Sequence, residues 1–317
     1  MNITQCVHKG LQFLTNKDYR FLFLAAHGRY NRMPDEEFLR RMYRAEFGKN
    51  LNLNSPQTFN EKLQWLKLYN RKPEYTMMVD KYKVREYIAK TLGEEYLIPL
   101  IGVWDDPDEI DFDALPNQFV LKCNHNSGLG MCICKDKSKL DIPKVKAELR
   151  KGLKQDYYLT GREWPYRDVP RKIIAEQYMI DKTLNELRDY KFFCFNGEVK
   201  FFKVDYDRFI EHHANYYDVN GQLLPFGEAD YAPKPDRQIE MPYNLTKMVE
   251  LANRLSRDCP FVRVDFYEID QSIYFGELTF FPASGMGAFE PVDWDYKLGN
   301  MVRLPEKSGH NVQKSES

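Results

Sequence analysis

The sequence predicts an α+β fold that begins with helices and continues with a series of antiparallel hairpins. Across residues 1–71, apolar side chains recur every three or four positions, which is the helical period. Beyond residue 118, apolar and polar residues alternate in short runs separated by polar or glycine-containing turns. With 317 residues, the chain is long enough for two or three subdomains that share a substantial core.

The helical part contains several well-marked segments. Thr58 and Glu61 have the spacing of a capping box, which predicts that a helix starts at Phe59. Another helical pattern covers residues 79–97 and ends near Gly93. Basic and aromatic residues near the N-terminus are compatible with contact to a membrane surface, and equally with docking on the next domain.

Two hairpins are predicted in the middle of the chain. The first covers residues 118–134 and contains a loop with Gly128 and Gly130, whose backbone amides can approach a phosphate closely. A simple hairpin turn explains the same glycines. The second hairpin turns at Asn196–Gly197, one of the strongest short-range hairpin signals. A further hairpin is expected within residues 211–240.

The last hairpin, between Phe261 and Thr279, carries the strongest indication of a functional site. Alternation places Asp265 and Glu277 at neighbouring positions on one face, with Arg263 beside them and Thr279 beyond Glu277. Two carboxylates on a rigid sheet suit Mg²⁺, which takes oxygen ligands and completes its shell with water and phosphate oxygens. A salt-bridged surface hairpin is the alternative interpretation.

Composition narrows the classes of function. There are 46 basic and 47 acidic residues, and a net charge of −1 gives no sign of the basic excess expected of a nucleic-acid-binding protein. The apolar run at residues 21–26 is too short to cross a bilayer, and no signal peptide is evident, so we expect a soluble, cytoplasmic protein. A zinc site at Cys123, His125, Cys132 and Cys134 is disfavoured because the usual C-x2-C spacing is missing.

The order of these motifs resembles that of a known superfamily. Asp80–Lys81 opens a helix, Phe119-Val-Leu-Lys precedes the glycine loop, a strand ends at Glu176-Gln-Tyr-Met, and Arg263-Val-Asp-Phe precedes Glu277-Leu-Thr. This series resembles the ATP-grasp ligases, and most closely the teichuronopeptide-biosynthesis type associated with bacterial surface polysaccharides. The resemblance runs from about Phe38 to Leu304.

The resemblance implies a nucleotide clamped between two α+β lobes, with ATP and Mg²⁺ as cofactors. It divides the chain into a helical N-terminal region (1–71), an N-lobe (72–170), a C-lobe (171–305) and a disordered tail (306–317). It assigns ATP binding to Lys81, Lys122, Asn126, Ser127, Gly128, Gly130, Glu176, Gln177, Tyr178 and Met179.

The resemblance also assigns metal binding to Asp265 and Glu277, and catalytic contacts to Arg263 and Lys191. Thr279 stands where the superfamily commonly has Asn, and its hydroxyl or carbonyl oxygen can still ligate Mg²⁺. We expect the acceptor near Arg263 and Ser284–Gly285, where the guanidinium can pair with a carboxylate.

The activity implied by the resemblance is carboxylate–amine ligation, joining an amino acid or amine to a carboxylated sugar or peptide. Several cations and Mg²⁺ converging on one cleft would offset the charge of a triphosphate and an anionic acceptor. The alternatives are a kinase using the same clamp, a non-catalytic nucleotide-binding or scaffold protein, and, less favoured, a glycosyltransferase.

Overall fold

The computed structural model describes residues 11–181, 187–206, 213–231, 233–237 and 239–307. The α-helices within these ranges are α1 (Lys17–Ala26), α2 (Asp35–Phe47), α3 (Phe59–Tyr69), α4 (Glu74–Val79), α5 (Val84–Thr91), α6 (Ile142–Lys154), α7 (Tyr158–Gly161), α8 (Leu245–Ser256) and α9 (Asp293–Met301). The strands are β1 (Leu100–Trp104), β2 (Phe119–Cys123), β3 (Met131–Cys134), β4 (Ile173–Gln177), β5 (Asp189–Phe195), β6 (Glu198–Tyr206), β7 (His213–Asp218), β8 (Gly227–Glu228), β9 (Phe261–Ile269), β10 (Ser272–Thr279) and β11 (Phe289–Glu290).

Two antiparallel sheets organise the chain. The small sheet has the order β1-β4-β2-β3, and the large sheet has the order β10-β9-β5-β6-β7. Each sheet buries one apolar face under a helix: Leu121 and Ala175 of the small sheet belong to one core with Leu149 of α6. Val264 of the large sheet shares the main core with Leu251 of α8. The opposite face of the large sheet is apolar at one end, where Phe195 and Phe261 pack against Phe59 of α3. It is charged further along, where Lys191 is paired with Asp265.

The division into lobes differs in detail from the sequence-based boundaries. β4 lies beyond residue 171, yet it pairs with β1 and β2 in the small sheet. By sheet membership, the boundary follows Gln177, because the hydrogen-bonded ladder continues to that residue. The N-terminal helices pack onto the large sheet, since Phe38 and Leu63 belong to the same core.

Several local predictions can be compared with the structure. The capping box at Thr58 and Glu61 is present, and the hairpin at Asn196–Gly197 joins β5 to β6 as predicted. The helix predicted over 79–97 is wrong in extent, because α5 covers only Val84–Thr91. Asp80 accepts hydrogen bonds from the backbone amides of Tyr82 and Lys83, which forms a capped turn before regular helix begins.

The third hairpin, predicted within 211–240, is only partly seen. β7 pairs with β6, and a single bridge joins Tyr217 to Leu223. Residues 207–212, 232 and 238, and the tail from 308, lie outside the described residues. Of the helices described, none combines the length and apolar character needed to cross a membrane.

Helix α3 carries a buried polar stripe that determines the position of the chain after β10. Asn60, Gln64 and Lys67 are spaced at i, i+4 and i+7, and therefore lie on one face of the helix. Their side chains donate hydrogen bonds to the backbone carbonyls of Gly287, Gly285 and Ser284, respectively, at 2.8, 2.7 and 2.7 Å. The stripe thus holds residues 284–287 beside the end of the large sheet.

Candidate active site

The cleft-facing side of the small sheet presents basic residues around a buried carboxylate. Lys122 Nζ lies 2.6 Å from Glu176 Oε2, and Arg85 Nη1 lies 3.6 Å from Glu176 Oε1. Lys122 and Glu176 share a face because β2 and β4 are paired with Val120 opposite Glu176. Glu176 is thereby neutralised by two cations, one of which, Arg85, the sequence reasoning did not identify.

Lys81 is held in place by a buried hydrogen-bond network. Its backbone N–H donates to the carbonyl of Asn124 at 3.1 Å, and the Asn124 amide donates to Asp80 Oδ1 at 2.7 Å. Lys81 Nζ donates to the carbonyl of Asn126 at 2.6 Å, which ties the lysine to the start of the glycine loop. Asp80 and Asn124, which are 2% and 0% exposed, therefore position the lysine.

The glycine loop contains two glycines with different physical requirements. Both have left-handed backbones, with φ of +79° at Gly128 and +69° at Gly130. A Cβ on Gly130 would lie 2.7 Å from Cys123 Sγ and 2.8 Å from the Cα of Gly152, whereas a Cβ on Gly128 would meet nothing within 4 Å. Gly130 therefore permits packing on α6, and Gly128, next to the exposed Ser127, lies at the open side of the loop.

Gly130→Ala should destabilise the protein by roughly 2–5 kcal/mol, because left-handed strain adds to a clash with backbone that cannot move aside. Gly128→Ala is the matched control, and we expect only the strain of roughly 1–2 kcal/mol. Chemical denaturation of both variants measures the difference. Equal losses of unfolding free energy would contradict the packing role of Gly130.

The segment 176–179, at the end of β4, is predicted to bind ATP. The Gln177 backbone N–H is already used, since it donates to the carbonyl of Pro99 at 3.0 Å. Gln177 and Tyr178 line a cavity of about 500 Å³ together with residues that precede β1 and β2. Tyr178 and Met179 are half-buried at this edge of the small sheet. Their contact with a nucleotide stays a prediction.

On the large sheet, the two predicted metal carboxylates are direct cross-strand neighbours. Glu277 of β10 is paired with Asp265 of β9, and Thr279 is paired with Arg263. A β-bulge at Gly276 lies immediately before Glu277, and a Cβ at this glycine would approach the carbonyl of Asp265 to 3.1 Å. Bulges of this kind re-aim side chains near functional sites.

Arg263 holds both carboxylates. Its Nε and Nη2 donate to the two oxygens of Asp265 at 2.7 and 2.6 Å, and Nη2 also donates to Glu277 Oε1 at 2.9 Å. Thr279 Oγ1 donates to the same oxygen at 3.2 Å. The paired hydrogen bonds that the guanidinium is expected to make to an acceptor carboxylate are thus made to Asp265 instead. The Nη1 atom of Arg263 makes no hydrogen bond with the residues that the structure describes.

Lys191 is buried among three carboxylates. It lies at 3.3 Å from Asp205 and 3.4 Å from Asp265, and it is also paired with Asp189. Burial acts to lower the pKa of Lys191, but Asp189, Asp265 and Asp205 outweigh it and raise the pKa. In this arrangement Lys191 neutralises the carboxylates, and its catalytic contact stays a prediction.

The two sheets present their charged groups to each other. Burial lowers the pKa of Lys81, while the nearby Glu277 and Glu176 carboxylates oppose that shift. Burial acts to raise the pKa of Glu277, yet the field of Lys81, Arg263 and Lys191 lowers it. A lysine of the small-sheet side therefore lies within electrostatic range of the Asp265–Glu277 pair, across the cleft.

The donor set at Asp265 and Glu277 fits a magnesium ion. Within the described part of the large-sheet face, five carboxylates (Asp189, Asp205, Glu228, Asp265 and Glu277) surround three cations (Lys191, Lys203 and Arg263). Glu277 has a side chain that is 38% exposed, and among the described residues it accepts hydrogen bonds through Oε1 alone, so Oε2 is open to them. No group of three or more His, Cys, Asp or Glu side chains suited to a metal occurs in the described ranges, so phosphate and water oxygens would complete the shell.

Ser284 and Gly285 lie in a strained turn after β10. Ala283, Ser284 and Gly285 all have left-handed backbones, with φ of 46°, 55° and 61°. Non-glycine residues in this region carry strain and are frequent at functional sites. Gly285 is enclosed, because a Cβ there would lie 2.5 Å from Gln64 Nε2. Ser284 is half-buried, and its contact with an acceptor stays a prediction.

The sequence reasoning also missed Glu163 and Lys67, whose side chains meet the strained turn. Ser284 Oγ donates to Glu163 Oε1 at 2.8 Å, and Lys67 Nζ donates to the Ser284 carbonyl at 2.7 Å. The spacing of Asn60, Gln64 and Lys67 on one face of α3 was a usable signal for Lys67. The irregular segment around Glu163 contained no such pattern.

Several solved structures are similar to this chain at low sequence identity. D-alanine–D-alanine ligase from Helicobacter pylori is 15% identical over 78% of this chain and 70% of that one, with a TM-score of 0.43. The ATP complex of the Bacillus anthracis D-alanine–D-alanine ligase is 16% identical over 71% and 63%, with a TM-score of 0.39. The biotin carboxylase–β-γ-ATP complex from Campylobacter jejuni is 15% identical over 72% of this chain and 47% of that one, and its TM-score is also 0.39.

This chain therefore spans only part of each of these proteins, and TM-scores below 0.5 tell nothing of its substrate. No curated protein sequence matches significantly. A family model described as TupA-like ATPgrasp matches residues 61–303, which is most of the chain. The resemblance drawn from the order of the motifs is thus confirmed: the chain belongs to the TupA-like ATP-grasp family and has the ATP-grasp fold.

Proposed function

We propose that this chain is an ATP- and Mg²⁺-dependent carboxylate–amine ligase that forms an amide through an acylphosphate. The observation that carries the proposal is the opposition of charges across the cleft. Lys81 and Lys122 lie on one side, and Asp265 and Glu277, held by Arg263, lie on the other. Binding of a metal–triphosphate complex requires cations for the phosphates and carboxylates for the metal in this arrangement.

The proposal assigns a role to each side of the cleft. Lys81 and Lys122 would bind the phosphates, with the amides of residues 126–130 closing over them. The segment 176–179 would bind the nucleoside. Asp265 and Glu277 would hold Mg²⁺, with Thr279 beside them, and the bound ion would neutralise charge that develops on the phosphates. Arg263 has Nη1 left to orient an acceptor carboxylate.

Amide formation from a carboxylate needs activation because carboxylate oxygen is a poor leaving group. An acceptor oxygen oriented by Arg263 would attack the γ-phosphorus, and ADP would leave. The resulting acylphosphate then reacts with an amine at its carbonyl carbon, and phosphate leaves with the electron pair of the broken C–O bond. Closure of the glycine loop would keep water from the acylphosphate.

We further propose that the acceptor carboxylate belongs to a uronic acid of a surface polysaccharide or its precursor. This assignment is supported only by the resemblance to the teichuronopeptide-biosynthesis type. An amino acid or another small amine would be the second substrate. A panel of uronic acids and amines, incubated with ATP and Mg²⁺, identifies the pair by mass spectrometry of the products.

Lys81→Ala and Lys122→Ala should each weaken ATP binding roughly 10–100-fold while leaving adenosine binding nearly unchanged, because each removes a charged hydrogen bond to the phosphates. Isothermal titration with ATP and with adenosine measures the two affinities. Lys144→Ala, an exposed lysine of α6, is the matched control. Equal weakening of both ligands would show that Lys81 and Lys122 are structural.

Hydroxylamine distinguishes the ligase from a kinase, because it traps acylphosphates as hydroxamates. With the correct carboxylate present, we expect Mg²⁺-dependent hydroxamate that is abolished in Asp265→Asn. Stable transfer of label from γ-labelled ATP to the acceptor, without hydroxamate, would instead establish a kinase. ATP binding that no acceptor converts into ADP formation would indicate a nucleotide-binding scaffold.

A further inference from the structure

A second polar cluster lies beside the proposed ligase site, and none of the steps above uses it. Its centre is Glu163, which is 5% exposed and follows α7 in the chain. Glu163 Oε1 accepts the hydrogen bond from Ser284 Oγ at 2.8 Å. Glu163 Oε2 accepts no hydrogen bond from the residues that the structure describes, so this buried carboxylate has one oxygen available to a ligand.

The surroundings hold Glu163 rigidly. Lys67 Nζ bridges the carbonyls of Gly161 and Ser284 at 2.6 and 2.7 Å. Gly161 lies so close to Ser284 that a Cβ on it would be 1.7 Å from Ser284 Oγ. The segment that carries Glu163 is therefore fastened to the strained turn after β10, and Glu163 is preorganised relative to the end of the large sheet.

Glu163 lies in the same region as Glu277, one of the two predicted metal carboxylates, and as two tyrosines. Glu163 is within electrostatic range of Glu277 and Arg263. Tyr157 and Tyr166 are each within electrostatic range of the same two residues and of Glu163. The rings of these tyrosines meet edge to face, with centroids 4.8 Å apart, and both residues are half-buried. Burial raises the pKa of Glu163, against the lowering effect of Lys67.

We propose that Glu163, with Tyr157 and Tyr166, forms the subsite for a primary ammonium group, and that Glu163 accepts the proton the amine must lose before it attacks. The proposal rests on the ligase function proposed above. A cation satisfies a buried carboxylate oxygen far better than a neutral hydroxyl does, because it supplies both charge and donors. Aromatic faces add attraction for an ammonium ion.

The proposed step balances as follows. The ammonium gives one proton to Glu163, and the freed nitrogen lone pair attacks the carbonyl carbon of the acylphosphate. The C–N bond forms as the C–O bond to phosphate breaks, and phosphate leaves with that electron pair. The second nitrogen proton leaves with phosphate, and Glu163 returns its proton to water.

Binding of a simple ammonium ion tests the subsite directly. Saturation-transfer NMR of the full chain with n-butylammonium chloride should show a signal that the neutral isostere n-butanol does not. Glu163→Gln, which keeps an acceptor for Ser284 Oγ, should lose the signal at least tenfold. Glu148→Gln, an exposed glutamate of α6, should keep it. An undiminished signal in Glu163→Gln, or an equal one for n-butanol, overturns the proposal.

Two further variants separate binding from a structural role. Ser284→Ala removes the hydrogen bond but keeps the carboxylate, so it should retain the butylammonium signal. Glu163→Asp keeps a carboxylate at the position, so its signal should be partly restored relative to Glu163→Gln. Loss of the signal in Ser284→Ala to the same degree as in Glu163→Gln, at unchanged thermal midpoints, would mean that Glu163 acts only by supporting the turn.

The ligase reaction provides a second readout. Hydroxylamine is largely uncharged at neutral pH and needs no base, so Glu163→Gln should keep hydroxamate formation while losing amide formation from a protonated amine about 100-fold. If the wild-type protein forms no hydroxamate, the ligase function fails while the ammonium-binding result still stands. If both reactions fall equally in Glu163→Gln, the role of Glu163 as proton acceptor is wrong.

Discussion

Glu277→Gln should lose about 10³-fold or more in turnover, equivalent to about 4 kcal/mol of transition-state stabilisation, while the protein stays folded. The carboxamide keeps an oxygen for Arg263 and Thr279, so the cross-strand hydrogen bonds survive. It lacks the charge that Mg²⁺ requires, and the open oxygen Oε2 is replaced by an amide nitrogen that cannot ligate.

Hydroxamate formation across a range of Mg²⁺ concentrations measures this loss. Glu198→Gln, an exposed glutamate of the same sheet, is the matched control and should behave like the wild type. Thermal midpoints of all three proteins should agree closely. Full turnover of Glu277→Gln at ordinary Mg²⁺ concentrations would remove Glu277 from the metal site.

Lys191→Met should destabilise the protein by about 3–5 kcal/mol and lower its thermal midpoint on the order of 10 °C. Lys191 is the cation shared by Asp189, Asp205 and Asp265, and it is 8% exposed. Methionine fills a similar volume, so the loss is electrostatic: three largely buried carboxylates lose a neutralising charge.

The pH dependence of this variant has a definite sign. Burial raises the pKa of Asp265 to about 6 even with Arg263 and Lys191 beside it, and removal of Lys191 raises the pKa further. A carboxyl group with a raised folded-state pKa stabilises the fold at low pH and loses that contribution as pH rises through the folded pKa. The destabilisation should therefore be larger at pH 8 than at pH 5.

Thermal unfolding of Lys191→Met at both pH values measures these effects. Lys200→Met, at a lysine of β6 that pairs only with Glu198 among the described residues, controls for loss of a surface charge. A thermal midpoint for Lys191→Met that matches Lys200→Met at pH 8 would contradict a neutralising role for Lys191.

Much of the local backbone structure of this protein follows from short-range interactions and could be predicted from the sequence alone. The capping box at Thr58 and the Asn196–Gly197 turn are short-range features, in which a few neighbouring residues settle the backbone. The period of a strand also determined that Arg263 and Asp265 share a face. The pairing of Glu277 with Asp265, in contrast, depends on the β-bulge at Gly276. The order of these motifs was sufficient to indicate the family.

The sequence could not show which charges neutralise one another. Whether Arg263 pairs with an acceptor or with Asp265 depends on side-chain packing across strands, and the structure places it on Asp265. The capped turn at Asp80 before helix α5 also receives a hydrogen bond from Asn124, between residues 44 positions apart. Long-range contacts of this kind leave no periodic trace in the chain.

The tertiary structure alone decided the surroundings of the acceptor side. Glu163 comes from an irregular segment, Lys67 from a helix 96 residues earlier, and Ser284 from a turn far beyond both. They meet because α3 holds residues 284–287 by a buried polar stripe and because Gly161 lacks the Cβ that would push Ser284 away. Sequence periodicity indicates which face of a helix or strand is buried. The elements that pack against that face are decided by the packing of the whole core.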